Sequence, residues 1–495
     1  MIKNGIFNLI GQSLKLGSNI LVMPILIQYL GVTLFGFLSW TTAILASVQI
    51  AEGGLSAGLL FFLSEEESSE KLDHTKKNEV LSSGIFFLVL SSILVFLIIY
   101  LLSPFFISTL HIGPERSNEV MRALLIGAGL VSVRILQSFF WAVLQSKQLY
   151  KTYNTISTLQ IIATNISWAL LAYLGEKSLP TYITWGFIIS VVFTIVLIPF
   201  AIKVIPLFNW RFSKKTTSKM LNYNLGVWGS NVGSILFSQG DKIIVGHTLG
   251  ITALTTYTIF TNVVSQLNQF TAQAVNPIIP LVRSGLSSSN NKANNLSISV
   301  KNFFLLNIYL SLGGAGLFIV MAEPILQFFL KSNFEKSSAF QFQILSLIYG
   351  IYTLSVTGYY ISLSLGYSRR VMIISILSSF TTLVSMYFSS IAFGIIGIVL
   401  SNAFFFSILI LLVQGMKRIG LPLWSWVSMI VVPLSVVIFL SLFVSLVDLN
   451  VFNQIALSIV FTIFMTISFF NKYQGTFDVK SKLLSKLFNM KNRYE

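Results

Sequence analysis

Windows of about 20 apolar residues, the length a helix needs to cross a bilayer core about 30 Å thick, recur from the first ten residues of this 495-residue chain almost to its last. In lipid the backbone must satisfy its own N–H and C=O groups, so windows of this length are helices. The expected fold class is therefore an all-α polytopic membrane protein with about 14 transmembrane helices. Composition agrees, because only 10% of residues are charged and mean hydropathy is +0.81, whereas soluble domains carry about a quarter charged residues. Lys3 is the only charge before the first window, which runs past Tyr29 without a small-residue cleavage site. A retained helix is expected there, not a signal peptide.

Apolar windows bounded by charges and turn residues predict spans 1 to 7 near 7–29, 37–63, 80–102, 120–145, 152–175, 181–204 and 222–247. Spans 8 to 14 follow near 254–281, 302–322, 339–365, 371–393, 396–415, 423–446 and 453–471. With Lys3 inside, 24 of the 32 Lys and Arg fall in segments on the inner side and four in outer loops. Positive charge stays cytoplasmic, so both termini are expected in the cytoplasm. The tail 472–495 sets Leu483, Leu484, Leu487 and Phe488 opposite lysines, as a basic amphipathic helix on an anionic leaflet would. The acidic stretch 64–70 reads as a solvated cytoplasmic loop.

The net charge of +16 is scattered through short loops, which argues against a nucleic-acid partner, since such proteins gather their cations on one face. The chain has no Cys, and His74, His111 and His247 are too far apart for a local ligand motif. No disulfide, metal or cofactor is expected.

An internal repeat is visible in Leu30-Gly31-Val32-Thr33 and Leu249-Gly250-Ile251-Thr252, offset by 219 residues. The even number of spans between these points makes the repeat parallel.

Projection at 100° per residue gathers polar residues into stripes. In span 1, Asn4, Asn8, Gln12, Lys15 and Asn19 share an arc of about 80°. A similar arc on span 8 holds Thr255, Thr258, Asn262, Gln266, Gln269, Gln273 and Asn276. Span 7 carries Asn224, Asn231, Ser234, Ser238, Asp241 and Lys242, span 2 carries Thr42, Gln49, Glu52 and Ser56, and span 4 carries Arg134, Gln137, Ser138, Trp141 and Gln145. Lipid-facing polar groups cost several kcal/mol each. A hydrophilic cavity lined by spans 1, 2, 4, 7 and 8 is expected, with the others as lipid-facing support; amides that join neighbouring helices are the competing explanation.

Embedded charges sharpen this. Lys15 sits about nine residues into its span and Arg134 near the middle of its own, too deep to snorkel, so both are expected in the cavity. Arg122 and Lys242 lie nearer the outer ends, and Glu52 and Asp241 are the only embedded acids. Four cations against two acids favour an anionic passenger, and the acids are candidates for binding a coupling cation.

Pro24, Leu30-Gly31 and Phe35-Gly36, with Asp241-Lys242-Ile243-Ile244-Val245-Gly246, Gly250 and Tyr257, make the chain resemble the Wzx-type polysaccharide repeat-unit flippases of the multidrug, oligosaccharidyl-lipid and polysaccharide exporter superfamily. It departs from their pattern at Thr255 and Thr256, where a Gly is common, and at Lys15, where an Arg is common. The resemblance implies a V-shaped pair of six-helix lobes, 1–206 and 207–418, with two extra helices over 419–471, alternating between inward-open and outward-open states. It further implies an undecaprenyl-pyrophosphate-linked oligosaccharide as passenger and the bacterial inner membrane as location. Coupling to H⁺ or Na⁺ is expected, with a polysaccharide polymerase and chain-length proteins as partners. Two other readings remain, a multidrug exporter of that superfamily and a membrane polymerase or ligase. The first wants an excess of embedded acids, and the second a large outer loop; the longest outer segments, 103–119 and 323–338, are short.

Overall fold

The computed structural model describes residues 2–52, 54–68, 74–108, 112–147, 149–205, 209–279, 281–282, 291–447 and 449–472. The tail beyond Lys472 and His111 lie outside the described residues, as do the side chains of Gln12, Asn231 and the acidic stretch 64–70. Among the described residues every regular element is a helix, and 11 helices are long and apolar enough to cross a membrane. Three of these hold two predicted spans each, divided at Gly31 in Ile2–Val48, at Gly250 in Lys214–Val275 and at Gly394 in Ser368–Ser401. The 14 predicted spans are thereby accommodated in an all-α membrane fold.

The dividing glycines explain the repeat. Gly31 has φ 80°, ψ 165° and Gly250 has φ 84°, ψ 176°, a backbone conformation that a Cβ disfavours. The two copies of Leu-Gly-β-branched-Thr thus make the same sharp reversal 219 residues apart. A second pair of positive-φ glycines, Gly175 after span 5 and Gly394 after span 11, has the same offset.

Packing next to the reversal is reciprocal. Thr255 donates to the carbonyl of Val32 at 2.6 Å. Residues offset from these by the same 219, Gly36 and Ile251, approach so closely that a Cβ on Gly36 would lie 2.6 Å from the Ile251 carbonyl oxygen. A contact and its repeat-related counterpart on the same surface are the mark of a pseudo-two-fold interface.

By packing, the chain forms two compact units. The first comprises Met1–Gln266, Ala322–Ile348 and Tyr367–Ile408, and the second Leu267–Met321, Tyr349–Gly366 and Leu409–Glu495. In the second, Asn307 of span 9 donates to the Leu354 carbonyl at 3.1 Å and to Thr357 at 2.8 Å. A π-helical turn over Tyr309–Gly313 lies just beyond it.

Several spans are not continuous α-helix. Span 2 passes through a 3₁₀ turn, Gln49–Glu52, and Gly54 at φ 67° before resuming as Leu55–Ser68. Span 12 contains a long 3₁₀ stretch, Asn402–Leu409. One expectation is corrected: helices outside the striped set are not all lipid-facing support. The apolar windows of Leu296–Val320 and Lys336–Ser364 are 61% and 72% buried, against 17% for Leu423–Leu446. Apolarity all round suits a helix buried in protein as well as one facing lipid, so hydropathy alone does not separate them.

Candidate functional site

Lys15 is buried to 7% exposure in the first unit. Its ammonium lies over the ring of Tyr153, 5.5 Å from the centroid. Trp141 meets that ring edge-on at 5.2 Å, and the Gln145 side chain hydrogen-bonds the Tyr153 hydroxyl. Trp141 and Gln145 belong to the predicted stripe of span 4, and half-buried Arg134 lies two turns, about 10 Å, along the same helix. Spans 1, 4 and 5 therefore bring a cation, two aromatic rings and an amide together. Among the described residues neither Lys15 nor Arg134 has a carboxylate partner. The π-face of Tyr153 attracts the ammonium without neutralising it.

Tyr153 is the residue that sequence reasoning missed, with the polar seam of span 5. Asn154, Thr158 and Asn165 fall within about 40° of one another in projection, so the signal was present. In the structure Thr158 donates to the Gly11 carbonyl at 3.4 Å, and Asn165 donates to Ser18 Oγ and Asn19 Oδ1, both at 2.8 Å. Asn19 is thus engaged in joining two helices. Gln137 of span 4 is likewise engaged, accepting from Gln160 at 3.1 Å.

A second focus lies on spans 7, 8 and 12. Asp241 is buried to 2% exposure. Its Oδ1 accepts from the Lys242 backbone N–H at 2.6 Å and its Oδ2 from the Tyr257 hydroxyl at 3.1 Å. Asn402 donates to the same phenol at 3.3 Å, leaving its own Oδ1 buried without a partner. The Lys242 ammonium turns to Asn262 Oδ1 at 3.4 Å. Acid and base are adjacent in sequence but point apart, as their 100° separation on a helix requires.

The remaining predicted residues are dispersed. Gln266 donates to the Asn262 carbonyl at 2.9 Å and leaves its own Oε1 without a partner. Gln269 is exposed and Gln273 half-buried, both in the second unit. Arg122 is exposed on span 4. Glu52 sits in the 3₁₀ interruption of span 2 with a buried, unpartnered Oε1, and no hydrogen bond joins it to Asp241 among the described residues.

Comparison with known proteins agrees with this architecture. Residues 25–339 match the family described as polysaccharide biosynthesis protein. No curated protein sequence matches the chain. The inward-closed lipid II flippase MurJ superposes with a TM-score of 0.68 at 15% identity, covering 95% of this chain and 98% of that one. An inward-facing multidrug resistance MATE family transporter of the MOP superfamily gives a TM-score of 0.69 at 9% identity, covering 81% and 94%. A MOP superfamily transporter from Pyrococcus furiosus, described as having a binding pocket of reversed polarity, gives 0.59 at 12% identity, covering 85% and 95%. These likenesses define the fold, and these three solved proteins are transporters and a flippase. The chain belongs to the polysaccharide biosynthesis protein family and has the MOP-superfamily transporter fold that its Wzx-type resemblance implied.

Proposed function

We propose that the protein flips undecaprenyl-pyrophosphate-linked oligosaccharide repeat units of O-antigen or a related surface glycan from the cytoplasmic to the periplasmic leaflet of the bacterial inner membrane. The observation that carries this reading is Lys15, an ammonium buried to 7% exposure with an aromatic ring, and no carboxylate among the described residues, as its partner. A buried cation so placed needs an anion, and a pyrophosphate supplies one. Arg134, with its planar fork of donors, suits a phosphate as well. Trp141, Tyr153 and Gln145 beside them suit the faces and hydroxyls of sugars. A carrier of cationic drugs is disfavoured by the same charge.

The halves 1–206 and 207–418 act as two lobes that expose the site to one leaflet and then the other, with the polymerase and chain-length proteins taking the product. An inside-negative potential favours export of an anion by about 2.3 kcal/mol per charge per 100 mV. The empty, cationic carrier is the form whose return needs help. Entry of H⁺ or Na⁺ at Asp241, with Glu52 as the other embedded acid, couples that return to an ion gradient.

The test is flipping of lipid-linked substrate in proteoliposomes. Lys15→Ala and Arg134→Ala should slow flipping at normal membrane levels, Lys15→Arg should be milder, and an inside-negative potential should speed outward flipping. Normal transport by Lys15→Glu, or wild-type flipping indifferent to voltage, would overturn the proposal.

A further inference from the structure

The segment joining spans 6 and 7 carries a feature that transport does not use. Residues 209–213 run between the helices Leu179–Val204 and Lys214–Val275. Trp210 and Phe212 are 61% and 60% exposed, and their rings stack at 6.1 Å with planes 19° apart. Phe212 also meets Phe86 edge-on at 6.1 Å, and Phe86 is itself exposed on the helix His74–Ser108.

The segment is held in place. The Arg211 backbone N–H donates to Ser82 at 3.0 Å. One turn later Thr216 donates to Glu79 at 2.6 Å, and Thr217 is bonded to Ser83 at 2.9 Å. The aromatic rings are therefore displayed on a fixed edge of the first unit.

Cations surround them. Lys203, Arg211, Lys214 and Lys215 are all exposed. Among the described residues the acid bonded to this edge is Glu79, and the Thr216 hydroxyl already binds its carboxylate. Exposed rings flanked by exposed cations match one environment well, the boundary of a bilayer, where amphipathic rings sit at headgroup level and Lys and Arg meet phosphates. The preceding helix is apolar enough to cross a membrane as far as Lys203, so the segment follows closely on such a boundary.

We propose that this inter-half segment is a binding surface for anionic phospholipid headgroups, with Arg211, Lys214 and Lys215 contacting the phosphates and Trp210 and Phe212 inserted at the acyl boundary. A neutral lipid satisfies the rings but leaves the cations without anions. A soluble acidic partner satisfies the cations but leaves the rings in water.

The test uses the full-length protein in nanodiscs containing brominated phosphatidylglycerol or brominated phosphatidylcholine. Because the chain has eight Trp, the Trp210 contribution is the difference between wild type and Trp210→Phe. Brominated phosphatidylglycerol should quench that component at lower mole fraction than brominated phosphatidylcholine. In the triple variant Arg211→Gln, Lys214→Gln, Lys215→Gln this preference should fall by at least about tenfold, since each cation near an anionic surface contributes about 1 kcal/mol. Quenching by phosphatidylcholine should stay unchanged there, which shows that the rings remain in place. Equal quenching by the two lipids in wild type, or an unchanged preference in the triple variant, would overturn the proposal. So would relief of quenching by millimolar inorganic phosphate, which would make the surface a site for a soluble anion.

Discussion

Tyr257 donates its hydroxyl to Oδ2 of Asp241 at 3.1 Å, so the first and last residues of the Asp-Lys…Gly…Gly…Tyr string meet in space. They do so because Gly250 reverses the chain between them at φ 84°, laying span 8 back along span 7. Asn402 then adds its amide to the phenol from the start of the irregular stretch within span 12. The motif is thus a buried polar link among three helices, and its glycine and tyrosine are needed for the aspartate to be satisfied.

Removing the Tyr257 hydroxyl takes one donor from a buried carboxylate, a loss of about 1.5 to 3 kcal/mol when the acceptor is charged. Tyr257→Phe should therefore lower the thermal unfolding temperature, and Asp241→Asn should lessen the effect of adding it. Differential scanning fluorimetry on the four proteins of the double-mutant cycle measures this, and strict additivity would show that the two groups are not coupled.

Asp241→Asn should also make flipping insensitive to an imposed proton or Na⁺ gradient while keeping its response to voltage. Proteoliposome assays with each gradient applied separately decide this. Full gradient sensitivity in the variant would remove Asp241 from the coupling.

The ring of Tyr153 holds Lys15 by its π-face, so the aromatic ring matters more than the hydroxyl. Tyr153→Phe should transport near the wild-type rate, whereas Tyr153→Leu, which loses a desolvated cation–π contact of up to about 2 kcal/mol, should be slowed severalfold. Initial rates at matched protein levels provide the comparison.

At Gly36 a Cβ would stand 2.6 Å from both the Ile251 carbonyl oxygen and Thr255 Oγ1. Gly36→Ala should destabilise the protein by about 1 to 3 kcal/mol through overpacking. Adding Thr255→Ala should recover only part of this, because the backbone oxygen remains in the way. Retained fluorescence of a C-terminal fluorescent fusion after heating reports the order of stabilities.

Asn224 is buried to 2% exposure with neither end of its amide hydrogen-bonded, and it fills the space that a Cβ on Gly58 would need. Gly58→Ala alone should be destabilising. Asn224→Ala removes unsatisfied polar atoms and should be neutral or stabilising. The double variant should be more stable than Gly58→Ala, measured in the same heating assay.

The absence of Cys permits labelling without background. A single Cys at Ser368, exposed at the start of its helix, should react with an impermeant thiol reagent only from the cytoplasmic side, and one at exposed Ser337 only from outside. Reaction of the two from the same side would break the orientation drawn from the Lys and Arg bias.

By itself the sequence determined the class of fold, the number of spans and the repeat. An apolar run of membrane length has one backbone solution in lipid, and a Leu-Gly-β-branched-Thr string with a positive-φ glycine marks the same reversal wherever it recurs. The polar stripes were legible too, because they follow from helical geometry alone. Only the tertiary structure decided what each stripe touches. Asn19, on the stripe expected to line a cavity, accepts from Asn165; Lys15 lies against Tyr153; the Tyr257 phenol that donates to Asp241 accepts in turn from Asn402, 145 positions further along the chain. A helical projection says which residues share a face, but the facing helix is set by chain reversals and by packing across long sequence separations. The interruption at Asn402–Leu409 was hidden for the same reason, because no Gly or Pro marks it and tertiary context decides, whereas the one at Gln49–Glu52 runs into Gly53-Gly54, a break signal legible in the sequence.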